Sequence, residues 1–215
     1  MVHILGLTNS ILNNFVLEIR DEVIQKDSLR FRRNLERIGE IVGYEISKSL
    51  QYELVSVQTP LGISQINKLK DEVVVSTILR AGLPLHQGLM NYFDGSESAF
   101  VSAFRKHRNE EEFDVFVEYC AAPNLNGKVL IIADPMIATG VSMELAIKAL
   151  LKNGKPKKII IVSAIASSEA ISYLKSNLPT NTTIWVCAID SELTAQSYIV
   201  PGLGDAGDLS FGVKL

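Results

Sequence analysis

With 215 residues, 47% of them hydrophobic and 21% charged, the chain can bury one sizeable core, and 1–215 reads as a single domain with a hood or arm appended. Its net charge of −3 supplies no broad basic field for nucleic acid or an acidic membrane surface, and no apolar run approaches the roughly 20 residues of a membrane helix. The opening MVHILGLTNS lacks the basic and long apolar regions of a secretory signal, and Cys120 and Cys187, far apart and without C-x-x-C spacing, read as reduced thiols of a cytoplasmic protein.

Residues 9–20 suit a short helix with Ile11, Leu12, Phe15, Val16 and Ile19 on one face. Asp27 or Ser28 can cap a longer helix reaching Leu50, in which Phe31, Leu35, Ile38, Val42 and Ile46 keep helical spacing. Its arginines, Arg30, Arg32, Arg33 and Arg37, read as a solvated face. From 51 to 66 apolar and polar residues partly alternate on either side of Pro60, which predicts an antiparallel, half-exposed strand pair standing as an arm. Residues 73–79 read as a buried strand broken by Arg80-Ala81-Gly82, and Pro84 opens a helix to about Phe93. A strand over 99–104 leads into the mixed charges of RKHRNEEEFDVFVE, which predict a mobile hairpin over about 105–118.

The stretch 128–151, KVLIIADPMIATGVSMELAIKALL, is the centre of the chain. Residues 129–132 form a doubly buried strand that Asp134 and Pro135 end, and a helical pattern runs over 143–151. Between them lie the small and hydroxyl residues of 138–142. Strand, acid, small loop and helix build a cradle of backbone N–H groups at a helix N-terminus, a site for phosphate, with Asp134 placed for sugar hydroxyls. An ordinary turn with a Ser/Thr cap fits the same residues. Further strands over 158–165 and 183–189 flank a helix over 168–177, so strands alternate with helices and argue an α/β fold, a parallel sheet covered on both faces.

The tail YIVPGLGDAGDLSFGVKL reads as neither strand nor helix. Its glycines do not fit a dinucleotide fingerprint, because too little chain follows Gly207. They can instead bring backbone N–H and C=O groups up to the edge of a flat ring such as a pyrimidine, and Asp205 among them can reach sugar, metal or base. Arg80, directly after a buried strand, can offer its fork to a polyanion or stand as a surface arginine at a turn. Arg105, Lys106 and Arg108 can close over a diphosphate or merely be solvated.

Taken together, ILRAG at 78–82, RNEE at 108–111, DPMIATG at 134–140 and YIVPGLGDAGD at 198–208 closely resemble the uracil phosphoribosyltransferase family. The resemblance implies a type I phosphoribosyltransferase fold, a central parallel sheet flanked by helices with a hood or β-arm formed from about 51–66 and the 190–215 tail. It implies transfer of the phosphoribosyl group of phosphoribosyl pyrophosphate (PRPP) to N1 of uracil, giving UMP and pyrophosphate in pyrimidine salvage. Magnesium would enter with PRPP, and the assembly would be a homodimer or larger homo-oligomer. Carried over position by position, PRPP would meet Arg80, Arg108, Asp134, Pro135, Met136, Ile137, Ala138, Thr139, Gly140, Val141, Ser142 and Asp205. Uracil would meet Tyr198, Ile199, Gly204, Asp205 and Ala206, and the catalytic groups would be Asp205, Arg80 and Arg108, with Arg105 an alternative to Arg108. A second reading keeps the fold as a non-catalytic sensor of PRPP or UMP. Val141 departs from the family, which usually has a second glycine there. A β-branched residue is poorly suited to positive φ, so the expectation is that Val141 opens the helix with negative φ.

Overall fold

The computed structural model describes residues 1–107 and 113–214, and side chains except those of 103–116. The chain opens with a strand that the sequence reading missed, β1 (Val2–Ile4), three residues being too few to show alternation. Helix α1 (Ile11–Arg20) follows, capped by Ser10 with Asn13 reciprocating, and α2 (Ser28–Ser47) is capped by the Asp27 carboxylate, which accepts from the Arg30 amide. Next come the hairpin β2 (Tyr52–Thr59) and β3 (Gly62–Leu69), strand β4 (Val73–Leu79) and helix α3 (Leu83–Tyr92) with its early proline. Strands β5 (Glu97–His107) and β6 (Phe113–Ala121) pair antiparallel, so the described part of the hairpin expected over 105–118 belongs to a longer ladder at the sheet edge, and residues 108–112 lie outside the described residues.

The second half alternates β7 (Val129–Ala133), the short β8 (Met136–Ile137), α4 (Val141–Leu150), β9 (Lys158–Ser167), α5 (Ser168–Asn177) and β10 (Thr182–Asp190). The tail holds a small ladder, β11 (Glu192–Leu193) against β12 (Ile199–Val200), and a short helix α6 (Ala206–Phe211). This corrects the reading of the tail as neither strand nor helix: Asp205 caps α6, a start signal obscured by the glycines around it.

The main sheet runs β1-β10-β9-β7-β4-β5-β6, parallel except for β6, with β8 extending the β9 edge. Its strands are apolar on both faces because both are covered. Val73, Val75, Val129, Ile131, Ile160 and Val162 pack towards α1, α2 and α3, while Val74, Leu130, Ile132, Ile159 and Ile161 pack towards α4 and α5. Helices α2 and α3 cross with backbones touching: a methyl on Gly88 would lie 1.9 Å from the Glu36 carbonyl oxygen, and one on Gly39 2.4 Å from that of Leu85.

The β2–β3 arm is exposed on both faces over nearly its whole length, not on one face as alternation suggested, and pairing runs on to Leu69. Its base is anchored where Asp71, buried, accepts from the Gln51 amide at 2.9 Å and from Lys157 Nζ at 2.5 Å.

Candidate functional site

The carboxyl ends of β4 and β7 lie side by side, and the loops leaving them form one side of the site. At the end of β4 the Leu79–Arg80 peptide is cis, and the chain turns at once into α3. That turn needs glycine at 82, where a Cβ would fall 2.0 Å from Thr77 Oγ1 and 2.8 Å from the carbonyl oxygens of Ala133 and Ile78. Thr77 Oγ1 in turn donates to the Ala133 carbonyl at 3.1 Å, tying the Arg80 loop to the loop that begins at Asp134.

Residues 134–138 are strapped to β9. The Asp134 amide donates to the Val162 carbonyl, the Ile165 amide to the Pro135 carbonyl, and Ser167 Oγ to the Ala138 carbonyl at 2.5 Å. Pro135 and Ile137 are buried, so what they can offer a ligand is backbone. Gly140 then takes φ +86°, with Tyr173 and Leu174 packed so close that a Cβ would fall 3.0–3.1 Å from them. Val141 is the first residue of α4 and does not share the positive φ, as expected. Among the described residues no side chain caps α4, which leaves its first amides and the positive end of its dipole suited to an anion. One turn in, buried Glu144 accepts from Lys148 Nζ at 2.8 Å and Tyr173 OH at 2.7 Å, and these bonds, Lys148 first, hold its carboxyl below the usual range despite burial.

The tail forms the other side. Gly202 and Gly204 take φ of +56° and +90°, and the Asp205 carboxylate, through Oδ1, accepts from the amides of Gly207 and Asp208 at 2.8 and 3.0 Å. Gly207 is the point of contact between the two sides: a Cβ there would lie 3.1 Å from Asp205 Oδ1 and 3.7 Å from Arg80 Nη2. Arg80 Nη2 donates to Asp208 Oδ1 at 3.1 Å, and its two Nη atoms reach the Gly212 carbonyl at 3.3 and 3.4 Å. Tyr198 is exposed, while the side chains of Ile199 and Ala206 lie in the core and leave only backbone for a ligand.

The structure thus brings the tail at Asp205–Asp208 up to Arg80, and ties the Arg80 loop through Thr77 to the strand end just before Asp134. Arg108 lies outside the described residues, as does all of RNEE at 108–111, and for Arg105 only the backbone is described, paired with Val115. Three residues escaped the sequence reading. Asp208 holds Arg80, and Arg20 and Asp190 fix the Gly202 turn, Arg20 Nη1 donating to the Gly202 carbonyl and Asp190 Oδ2 accepting from its amide, both at 3.0 Å. Asp190 carries the signal that marked Asp134, an acid closing a buried strand. Arg20, at the end of an amphipathic helix, carries none.

A sequence model of the uracil phosphoribosyltransferase family matches residues 7–213. The chain is 57% identical over 211 residues to the uracil phosphoribosyltransferase of Porphyromonas gingivalis, covering 98% of each chain. It is 39% identical over 206 residues to that of Thermococcus gammatolerans, covering 94% of this chain and 91% of the other. Among solved structures it superposes on the AQ2163 protein of Aquifex aeolicus with a TM-score of 0.88 at 31% identity, over the whole of both chains. A Staphylococcus aureus hypoxanthine phosphoribosyltransferase matches at 0.51 and 15% identity over 86% of this chain and 84% of the other, a likeness of fold alone.

Proposed function

The chain belongs to the uracil phosphoribosyltransferase family, and we propose from that premise that it joins uracil to PRPP, giving UMP and pyrophosphate. The observation that carries the reading is the meeting of the Arg80 loop with the GDAGD tail through Gly207, which sets a cation for the leaving diphosphate beside the segment suited to a pyrimidine edge.

In the proposed reaction uracil N1 attacks the anomeric carbon as the bond to diphosphate breaks, the bonding pair leaves with diphosphate, and the N1 proton passes to a base, for which the Asp205 carboxylate is the candidate. No covalent nucleophile is needed, so the protein works by positioning and by stabilising charge. The open amides at the start of α4 and the loop Asp134, Pro135, Met136, Ile137, Ala138, Thr139, Gly140, Val141 and Ser142 take the 5-phosphate, with Asp134 accepting from the ribose hydroxyls. Arg80 and Arg108 hold the diphosphate. Tyr198, Ile199, Gly204, Asp205 and Ala206 line the uracil pocket, largely through backbone, and Asp205 stands at both substrates. Both amide bonds to Asp205 go to Oδ1, so among the described residues Oδ2 remains a hard oxygen donor, the type magnesium takes. Asp205 is therefore the carboxylate that would share an ion carried by PRPP, and that ion, when bound, offsets charge on the leaving group.

The chain acts as a homodimer or larger homo-oligomer. The arm supports this, since Leu54, Val57, Ile63 and Ile66 are exposed on a hairpin without a packing partner among the described residues, and a second copy would cover them. A cytoplasmic site fits the free thiols of Cys120 and Cys187, and no described helix is long and apolar enough to cross a membrane.

The test is UMP formation from labelled uracil with PRPP and magnesium, beside cytosine, orotate, adenine and hypoxanthine. Turnover with uracil alone is the expected result. Turnover with another base, or with none, overturns the reading.

A further inference from the structure

The turn that carries the tail into the site is held from outside by a charge pair. Arg20, the last residue of α1, donates from Nη1 and Nη2 to Oδ2 and Oδ1 of Asp190, both at 2.8 Å. Arg20 Nη1 also donates to the Gly202 carbonyl at 3.0 Å, and Asp190 Oδ2 accepts from the Gly202 amide at 3.0 Å. Each member of the pair therefore grips one backbone group of the same residue.

Gly202 can take that place because it has no side chain: its φ is +56°, and a Cβ would strike the Ile199 carbonyl oxygen at 2.1 Å. Two residues on, Gly204 and Asp205 present the backbone that faces the ligand. The side chains of Arg20 and Asp190 are only 22% and 8% exposed. A pair so desolvated adds little stability over apolar residues of the same size, so what distinguishes it is geometry. A pocket that reads a ring by backbone groups has no rotamers to adjust, and an error in the turn passes directly into its hydrogen bonds.

We infer that Arg20 is a positioning residue for the pyrimidine base, acting through Asp190 and the backbone of Gly202 on the segment 204–206. The inference rests on the reading that this segment forms the uracil pocket. It weighs on the two substrates unequally, because among the described residues the pair makes no hydrogen bond to the Arg80 loop or the start of α4 and reaches PRPP only through Asp205.

The test compares Arg20→Met, Arg20→Lys and Gly204→Ala in steady-state kinetics, with thermal melting to verify folding. Arg20→Met should raise KM for uracil on the order of tenfold to a hundredfold, the scale on which small misplacements act, and raise KM for PRPP, through Asp205 alone, by a clearly smaller factor. Arg20→Lys keeps the charge and the fold but cannot make all three bonds, and should give a smaller rise in the same parameter. If Arg20→Met does not fold, Arg20→Lys alone decides. If Gly204→Ala raises KM for uracil while the Arg20 variants shift both KM values together or neither, Arg20 is only structural and the inference fails with the pocket intact. If Gly204→Ala leaves KM for uracil untouched, the pocket lies elsewhere and the inference falls with it.

Discussion

At position 141 the fold accepts a β-branched residue for a reason that can be stated in dihedral angles. Gly140 alone carries the positive φ of the turn, and Val141 already lies in the first turn of α4 with its amide uncapped. Glycine at 141 would add backbone freedom to the unfolded chain and to the helix start without opening any new conformation that the site uses. Val141→Gly should therefore leave KM for PRPP as it is and lower unfolding stability by roughly 0.5 kcal/mol, the scale of glycine against ordinary residues in a helix. A fall in KM for PRPP would mean that valine crowds the phosphate. Asp208 is the opposite case, an acid that already holds the arginine proposed for the diphosphate. Arg80 cannot give its whole fork to diphosphate while Nη2 serves Asp208, and their side chains are 41% and 28% exposed, so the pair is a partly solvated one of modest strength. Asp208→Asn should lower KM for PRPP on the order of two- to fivefold, what releasing up to ~1 kcal/mol of ion pairing allows. An unchanged or higher KM would show that Asp208 helps the substrate and does not compete with it.

Among the elements, the α2–α3 crossing depends on two glycines that no helical pattern singled out. A methyl at Gly88 would sit 1.9 Å from the Glu36 carbonyl oxygen, a backbone atom that can yield only by moving α2. Gly88→Ala should destabilise the fold by roughly 1–3 kcal/mol, the cost of overpacking, although alanine is the better helix former. A variant as stable as the parent in urea would mean that the helices separate freely. The contrast marks where the sequence was legible. Strand β4 and helix α5 end where periodicity and turn residues place them, and the core face of α2, from Phe31 to Ile46, follows from spacing alone, because each depends on neighbours within the same element. The course of 134–142, from a buried strand through a short loop into a helix, was legible for the same reason. What escaped depends on residues far apart in the chain: Arg20 with Asp190, Arg80 with Asp208, Gly88 with Glu36. Helix α6 escaped by brevity, its cap at Asp205 and the acid at 208 being the only start signal in six residues.

For the molecule as a whole, the doubly covered sheet sets how the fold answers to acid. His86 is buried between α3 and the sheet, its Nε2 3.3 Å from the Val75 carbonyl and 3.2 Å from Ser98 Oγ, with its ring 5.3 Å from that of Phe100. Burial lowers its pKa from the ordinary 6.5, and the Val75 carbonyl only partly opposes this. His3, stacked on Trp185, is lowered in the same direction, first by burial and then by the N-terminal charge. Between each lowered value and 6.5 the unfolded chain binds more protons than the folded one, so stability is complete above 6.5 and is lost as pH falls below it. The carboxylates act lower on the scale. Burial raises Asp71, but Lys157 and the Gln51 amide outweigh it, and Glu144 is lowered by Lys148 and Tyr173, so the share of each is complete above its ordinary 3.8 or 4.5 and is lost as pH falls from there through the lowered value. Urea unfolding at fixed ionic strength should therefore show two declines, one beginning near 6.5 and a second in the carboxylate range. His86→Gln keeps a donor for the Val75 carbonyl and removes the titration, so it should flatten most of the first decline and leave the second alone. If the first decline survives in full, the acid sensitivity does not belong to the histidine under α3.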